Sequence, residues 1–443
     1  MAYDLNQTVF SLSLASNAVA DIKATTSGYN TELTAYMAAG LNGGTLQDLS
    51  SDGAFANYQG PAWPGFFPTM NSQLAGGDWQ VVWGPCVWVA PLKHGSKILS
   101  LYATNSMYVG WSPSLNTYVV AIAATNAENV MDWVDEDFDV YARTTSTWPP
   151  AIPFTEKRHE VLPESTPQIS AGTATGISAL LGMTDPKQGS LQSFLASKAD
   201  SSATLWFTGH SLAGALSPTL AFYLYPDPTK SGWGTINLLP SAGATPGNQA
   251  WLDLFTAGYP DATDLVNMHD VVPRAWNMLP TVIQPKDKAG NYPSIFGMLG
   301  SGTVSVGYTV DLLVHYMERR IRDITYANIT HNMFGAADFS SNWGHFTWGT
   351  VTTDAQGYTL KSDPAWSDWP AFTDSNPVTA QNPAQTGKAT VMDQIGQLIT
   401  ATHIDQYVHN FGLTPSQLLP EVPADWKPQA PDLDSFQAML HEG

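Results

Sequence analysis

The chain is 443 residues long and carries 38 Asp and Glu against 18 Lys and Arg, which gives a net charge of −20 at pH 7. This acidity indicates no nucleic-acid partner, since phosphate binding needs clustered cations, and it disfavours electrostatic docking on anionic membranes. The single cysteine, Cys86, excludes an internal disulfide and a cysteine-based zinc site.

The N-terminus lacks the charged start and the apolar run of a secretory signal. No apolar run approaches the roughly 18 residues of a membrane span, so we expect no transmembrane segment. We predict a secreted or extracellular protein whose signal is absent or already removed, and a cytoplasmic location stays open. The sequence carries no signal for the oligomeric state.

Up to residue 275 the apolar spacing alternates between that of strands and that of helices. The predicted strands are Gln80–Val89, Ser106–Trp111, Tyr118–Ala124, Leu205–Thr208, Thr235–Leu239 and Asp264–Met268. The predicted helices are Val9–Ile22, Leu33–Leu41, Glu128–Val140, Ile169–Leu181, Leu191–Ala199 and a segment that follows Ser211. This alternation favours an α/β domain with a mostly parallel sheet, preceded by a helical extension over residues 1–79.

The pattern changes after the core, which we place at residues 80–275. One amphipathic helix, with Val314 and Met317 on its apolar face, lies in a stretch otherwise rich in Gly, Asn, Ser and Trp. We interpret residues 276–388 as an insertion packed on the main domain. Residues 389–443 form a C-terminal segment in which a further helical pattern precedes a Pro-rich tail.

A buried strand pattern, Leu205-Trp206-Phe207-Thr208, runs directly into Gly209-His210-Ser211-Leu212-Ala213-Gly214 and then into a helix. This is the layout of a nucleophile elbow, in which a strained serine projects its hydroxyl from a sharp turn between strand and helix. The elbow needs small residues two positions to either side, and Gly209 and Ala213 meet that need. The alternative is that Ser211 only caps a helix.

A serine hydroxyl needs an imidazole base to attack an ester, and the base needs an acidic partner. In elbow hydrolases the chain order is Ser, then Asp or Glu, then His. Asp270 directly follows a predicted strand, although it also fits a turn before proline. Asp264 and Asp261 are weaker candidates, and any of the ten histidines could supply the base.

Three motifs in order, Phe207–Leu216, Gly243–Asn248 and Leu265–Arg274, resemble the core of the class 3 (fungal-type) triacylglycerol lipases. The resemblance covers roughly residues 80–275 and a short C-terminal stretch. It implies an α/β-hydrolase fold with a mostly parallel central sheet flanked by helices, in which residues 276–388 would be a large insertion before the catalytic histidine. We expect a single domain over residues 1–443. The resemblance implies acyl transfer without a metal or any other cofactor.

The resemblance also implies a role for individual residues. Ser211 would be the nucleophile, Asp270 the acid and His403 the base, because an aromatic residue, here Tyr407, follows the base in the family. His409 is the second choice for the base and His345 the third.

The oxyanion hole implied by the resemblance consists of the backbone N–H groups of Leu212 and Thr125. The stretch Val119–Thr125 is the weakest match, because Ala123-Ala124 stand where the family has Arg-Gly. We expect His210 to be structural and to pack beneath the elbow.

A lid over the site is implied within residues 141–163. Trp148, Ile152 and Phe154 are the apolar side chains expected to meet lipid there. An ordinary surface loop is the alternative.

We therefore expect a serine carboxylic-ester hydrolase, and first of all a lipase that cleaves acylglycerols or related lipid esters at a lipid–water interface. A phospholipase A1 and a soluble, feruloyl-type esterase are alternatives within the same chemistry. A catalytically inactive protein that binds lipid or carbohydrate is the alternative from a different class.

Overall fold

The computed structural model describes residues 2–20, 22, 24, 28–45, 62–90, 92–94, 97–100, 102–124, 140–141, 143–155, 160–282, 314–334, 351–354, 357–360, 399 and 401–413.

Strands and helices alternate through most of these residues. The strands are β1 Gln80–Trp88, β2 Leu92–His94, β3 Lys97–Ser100, β4 Asn105–Ser112, β5 Thr117–Ala124, β6 Ser146–Thr147, β7 Gln168–Ile169, β8 Thr184–Asp185, β9 Gly189–Ser190, β10 Thr204–His210, β11 Thr235–Ser241, β12 Gly247–Asn248, β13 Asp264–Asn267, β14 Tyr326–Ala327, β15 His331–Phe334, β16 Val351–Asp354 and β17 Gly357–Leu360. The helices are α1 Leu5–Ala15, α2 Tyr29–Asn42, α3 Phe66–Met70, α4 Ala171–Gly182, α5 Leu191–Lys198, α6 Leu212–Leu224, α7 Gln249–Gly258 and α8 Gln406–Asn410, and residues 314–320 are also helical. Short 3₁₀ turns lie at Pro228–Lys230, Val272–Arg274 and Leu279–Val282, and a π-helical turn lies at Ala401–Asp405.

The central sheet has seven strands in the spatial order β1-β4-β5-β10-β11-β13-β15. The pairings from β5 to β15 are parallel, whereas β4 is antiparallel to both β1 and β5. Two cores lie on the two faces of this sheet, because successive side chains of a strand point to opposite sides. On β10, Leu205 and Phe207 join the cluster that includes α4 to α7, whereas Trp206 packs with the cluster that includes α1, α2 and α8. The predicted α/β-hydrolase fold is confirmed.

Every predicted strand is confirmed to within two residues at each end. The first helix differs from its predicted span, Val9–Ile22, because it ends at Ala15 and begins at Leu5. Asp4 and Gln7 form a reciprocal capping box there, in which each side chain accepts from the other residue's backbone N–H. The predicted helix Glu128–Val140 lies outside the described residues except for Val140.

The segment 276–388 is not only an addition packed on the main domain, because it supplies the edge strand β15 of the central sheet. β15 runs parallel to β13, with Asp264 opposite His331 and Asn267 opposite Phe334. The sequence does not reveal this strand, because an edge strand of four half-exposed residues carries almost no apolar periodicity. The other predicted domain boundaries stay predictions.

No helix within the described ranges combines the length and the apolarity that crossing a bilayer requires. Secretion stays a prediction from the sequence.

Candidate active site

Ser211 lies at the sharp turn where β10 meets α6. Its backbone φ of 63° and ψ of −131° fall in a region that side-chain-bearing residues rarely occupy, at a cost of about 1–3 kcal/mol. Its N–H donates to Ser241 O on the neighbouring strand at 2.9 Å, and this bond helps to hold the strained turn. Ser211 occupies the N-cap position of α6, but its side chain makes no capping hydrogen bond, which argues against a role limited to capping.

Small residues surround the turn because backbone segments meet there. A Cβ added to Gly209 would lie 2.3 Å from Ala213 O, and one added to Gly214 would lie 2.4 Å from Ser241 O. The methyl group of Ala213 is tolerated because Gly209 opposite it has no side chain. The glycines are therefore a steric requirement of this strand-to-helix connection.

Asp270 and His403 meet at the same edge of the sheet. Asp270 lies in the turn after β13, and His403 lies in the π-helical turn Ala401–Asp405. His403 Nδ1 is 2.7 Å from Asp270 Oδ2, and both side chains are at most 1% exposed. Because a carboxylate oxygen accepts, Nδ1 carries the hydrogen, and Nε2 is left as the nitrogen that can take a proton.

The two oxygens of Asp270 have different partners. Oδ1 accepts from the Val272 N–H at 3.0 Å and so shapes the turn, while Oδ2 accepts from His403 and from the Tyr407 hydroxyl, the latter at 3.0 Å. The turn interpretation and the interpretation of Asp270 as partner of a histidine are thus compatible. One carboxylate does both.

Tyr407 keeps its proton for this bond. Burial first, and the charge of Asp270 second, raise the pKa of the Tyr407 hydroxyl well above its usual range. The same oxygen accepts from the Asn267 N–H at 2.8 Å, which ties α8 to the end of β13. In the sequence, Tyr407 stands out only as an aromatic companion of His403, and the spacing of four residues is the signal that both face one side of a helix.

Two further residues, which no sequence pattern marks as functional, support this arrangement. The Asn267 side chain donates to Thr402 O at 2.7 Å and to the Gln406 side chain, so it holds the segment that carries His403. The buried Arg274 guanidinium donates to Met268 O at 2.6 Å and to Asp270 O at 3.2 Å, across the turn of the acid. Asn267 lies on a predicted strand and Arg274 in the turn after it. These hydrogen-bond partners are distant in the sequence for Asn267 and are backbone atoms for Arg274.

The other predicted residues are placed as follows. His409 is exposed on α8, and His345 and Thr125 lie outside the described residues. Leu212 is the first residue of α6, where a backbone N–H has no carbonyl partner within its helix and favours negative charge.

Ser211 is buried, and its hydroxyl has no hydrogen-bond partner among the described residues. The preceding residue, His210, places its ring centroid 4.8 Å from that of His403, so the nucleophile turn and the segment that carries His403 meet at this edge of the sheet. In hydrolases of this kind, the hydrogen bond between nucleophile and base often forms only when a substrate binds. Among the described residues, no group of three or more acidic, His or Cys side chains could hold a metal ion.

The lid candidate, residues 141–163, is only partly available to lipid. Trp148 is half-buried and stacks on Phe222 of α6 with ring centroids 5.0 Å apart, so the expectation that it faces lipid is wrong. Its flat indole finds a matching aromatic surface on the core. Among the described residues of this segment, Ile152 and Val161 are 37% and 44% exposed and face outward, as does Tyr141.

Asp264, a weaker candidate for the acid, is buried, and its Oδ2 accepts from the Gly243 N–H at 3.0 Å. Burial raises the pKa of the Asp264 carboxyl well above its usual range. The hydrogen bond from the Gly243 N–H lowers this pKa, and the charge of Asp270 raises it further. The folded state therefore holds a proton that the unfolded chain releases above about pH 3.9. Stability is highest below that pH and falls as the pH rises toward the folded pKa.

Asp264→Asn is expected to raise the free energy of unfolding by about 1 to 3 kcal/mol at pH 8, because an amide of the same shape cannot ionise. The gain should shrink toward pH 4. Urea unfolding of both proteins across this pH range measures it. Asp261→Asn is the control, since Asp261 is exposed, and an equal gain there would contradict the role of burial.

The geometry defines a class of protein. A strained serine at a helix N-terminus and a buried Asp–His pair stand together at the carboxyl edge of a mostly parallel sheet, as in the hydrolases of this fold. The chain is a carboxylic ester hydrolase of the serine hydrolase class.

A family model matches the middle of the chain. Residues 119–279 match the model described as lipase (class 3), so the resemblance seen in the motifs is confirmed. No curated protein matches the sequence.

One solved structure shows the same fold. The crystal structure of M37 lipase is 19% identical, with a TM-score of 0.53, and the alignment covers 99% of each chain. A Rhizomucor miehei lipase in complex with its propeptide is 16% identical with a TM-score of 0.31, over 46% of this chain and 53% of that one. The first likeness shows the fold, and the second is too low to add to it.

Proposed function

We propose that this protein is a lipase-type hydrolase that cleaves the ester bonds of acylglycerols or related lipids through an acyl-enzyme on Ser211. The observation that carries the proposal is the buried 2.7 Å hydrogen bond between His403 Nδ1 and Asp270 Oδ2. These residues are 133 positions apart, and they follow Ser211 in the chain order that elbow hydrolases use.

In the proposed reaction, His403 Nε2 takes the proton of the Ser211 hydroxyl while Oγ attacks the ester carbonyl carbon. Asp270 holds the ring through its Nδ1–H and stabilises the imidazolium that forms. The N–H groups of Leu212 and Thr125 hold the oxyanion, and the proton then passes from His403 to the leaving alcohol. Water, deprotonated by His403, releases the acid and restores Ser211.

A lipid substrate is supported by the class 3 lipase match and by the outward-facing Ile152 and Val161. A chain of net charge −20 has little electrostatic attraction to an anionic surface, so contact with lipid would depend on such apolar side chains.

Labelling with an alkyl nitrophenyl phosphonate tests the nucleophile. We expect one stoichiometric adduct, on the peptide that contains Ser211, and no adduct in Ser211→Ala. Ser217→Ala is the matched control, because Ser217 is also buried and lies on the same helix, and it should label like the wild type. A folded wild-type chain that stays unlabelled would be a binding protein and not a hydrolase.

A panel of glycerol esters of rising acyl length, assayed below and above their solubility limits, tests the substrate. A rise in rate above the limit supports a lipase. A rate that is flat across the limit contradicts it, and a preference for phosphatidylcholine or for methyl ferulate would assign the protein to the phospholipases A1 or to the feruloyl-type esterases.

A further inference from the structure

His210, the last residue of β10, connects the nucleophile turn with the segment that carries His403. Its ring is buried, with Nε2 2.6 Å from His403 O and Nδ1 2.9 Å from Ser241 Oγ. The ring of Tyr407 lies 4.9 Å away on one side, and Phe10 of α1 contacts it edge-on at 6.0 Å.

The partners fix the tautomer of this ring. A carbonyl oxygen only accepts, so Nε2 must carry the hydrogen that points at His403 O. Burial first, and the neighbouring His403 second, hold the pKa of His210 well below its usual range, so the ring is neutral and Nδ1 keeps its lone pair. The Ser241 hydroxyl donates to that lone pair, since its alternative acceptor, Gly209 O, is farther away at 3.5 Å.

Three hydrogen bonds therefore run in series between the two halves of the site. The Ser211 N–H donates to Ser241 O at 2.9 Å, the Ser241 hydroxyl donates to His210 Nδ1, and His210 Nε2–H donates to His403 O. The series joins the backbone of the proposed nucleophile to the backbone of the proposed base.

The His403 segment needs such support because it reaches the sheet from the far end of the chain. Two consecutive carbonyls accept from side chains on two different strands: Thr402 O from Asn267 on β13, and His403 O from His210 on β10. Two anchors on separate strands fix the position of a short segment in two directions, whereas one anchor would let it pivot.

We propose that His210 is a positioning residue for the hydrolysis, which sets the distance between Ser211 and His403 by donating a hydrogen bond from Nε2 to the His403 carbonyl. The proposal rests on the proposed function. The alternative is that His210 only fills space beneath the elbow.

Two replacements of equal length separate these roles. Glutamine places an amide nitrogen close to the position of imidazole Nε2, and methionine has nearly the same shape without a donor. We expect His210→Gln to keep kcat within about threefold of the wild type, and His210→Met to lose on the order of 10- to 100-fold in kcat with little change in KM, since small misplacements of reacting groups have effects of that size. Equal kcat values in the folded Gln and Met variants would overturn the proposal.

A third variant covers the case in which the Met protein does not fold. His210→Asn keeps an amide that can reach Ser241 but is too short to reach His403 O, so we expect the kcat loss of the Met variant again. An Asn variant as active as the Gln variant would contradict the positioning role. Circular dichroism and the urea midpoint show which variants are folded.

The phosphonate label keeps the two proposals apart. A wild type that is not labelled on Ser211 removes the proposed function, and the positioning proposal with it. A labelled wild type, with Gln and Met variants that label at equal rates, removes only the positioning role.

Discussion

Replacing His403 by alanine is expected to lower kcat by about 10⁴- to 10⁶-fold, as the loss of the base does in hydrolases of this type. His403 is buried and its Nδ1–H is bound to Asp270, so alanine removes both the proposed proton acceptor and its hydrogen bond to the carboxylate. Rates with a soluble nitrophenyl ester measure the loss, and circular dichroism shows whether the variant is folded.

His409→Ala is the control for this variant, because His409 is the rival base and lies exposed six positions away. We expect it to keep a kcat within about twofold of the wild type, as surface substitutions usually do. A large loss in His409→Ala together with full activity in His403→Ala would reverse the assignment.

Replacing Asp270 by asparagine is expected to lower kcat by about 10⁴-fold. Asparagine keeps the shape of the side chain, but its amide N–H₂ can face His403 Nδ1, and the ring would then hold the wrong tautomer. The backbone bond from the Val272 N–H can still be accepted by the amide oxygen, so the turn should persist. We therefore expect a large fall in kcat and only a small shift of the urea midpoint.

Tyr407→Phe tests how much of the kcat loss in Asp270→Asn depends on the second donor to Asp270 Oδ2, the Tyr407 hydroxyl. It removes the 3.0 Å bond from the hydroxyl but leaves the carboxylate and its bond to His403. We expect kcat to fall by about tenfold or less. The free energy of unfolding should fall by about 1–3 kcal/mol, because the Asn267 N–H loses its acceptor. A loss as large as that of Asp270→Asn would mean that Tyr407, and not the carboxylate, orients the ring.

The elbow could be predicted from the sequence because every requirement for it is local. A strand pattern, glycine at 209, serine at 211 and leucines at helical spacing all lie within about twenty consecutive positions of the printed sequence. The structure adds the reason for each small residue, since a Cβ on Gly209 would meet Ala213 O.

The position of Asp270 at the end of a buried strand could also be predicted, because parallel strands of a sheet end at one edge. The edge strand β15 could not, since His331–Phe334 is short and half-exposed and leaves no apolar alternation. The packing of Trp148 on Phe222 was missed for a related reason: an exposed and a stacked tryptophan look identical in a sequence.

By itself, the sequence determined the type of fold, the strained turn at Ser211, and the order in which an acid and a base had to follow it. Only the tertiary structure decided which distant groups meet: His403 rather than His409 beside Asp270, the Tyr407 hydroxyl on the same carboxylate, and the bond from His210 to the His403 carbonyl. The physical reason is the range of the interactions. Turn strain and apolar periodicity act between neighbours in the chain, whereas a buried polar group must find its partner in space, and these partners lie between 133 and 193 positions away.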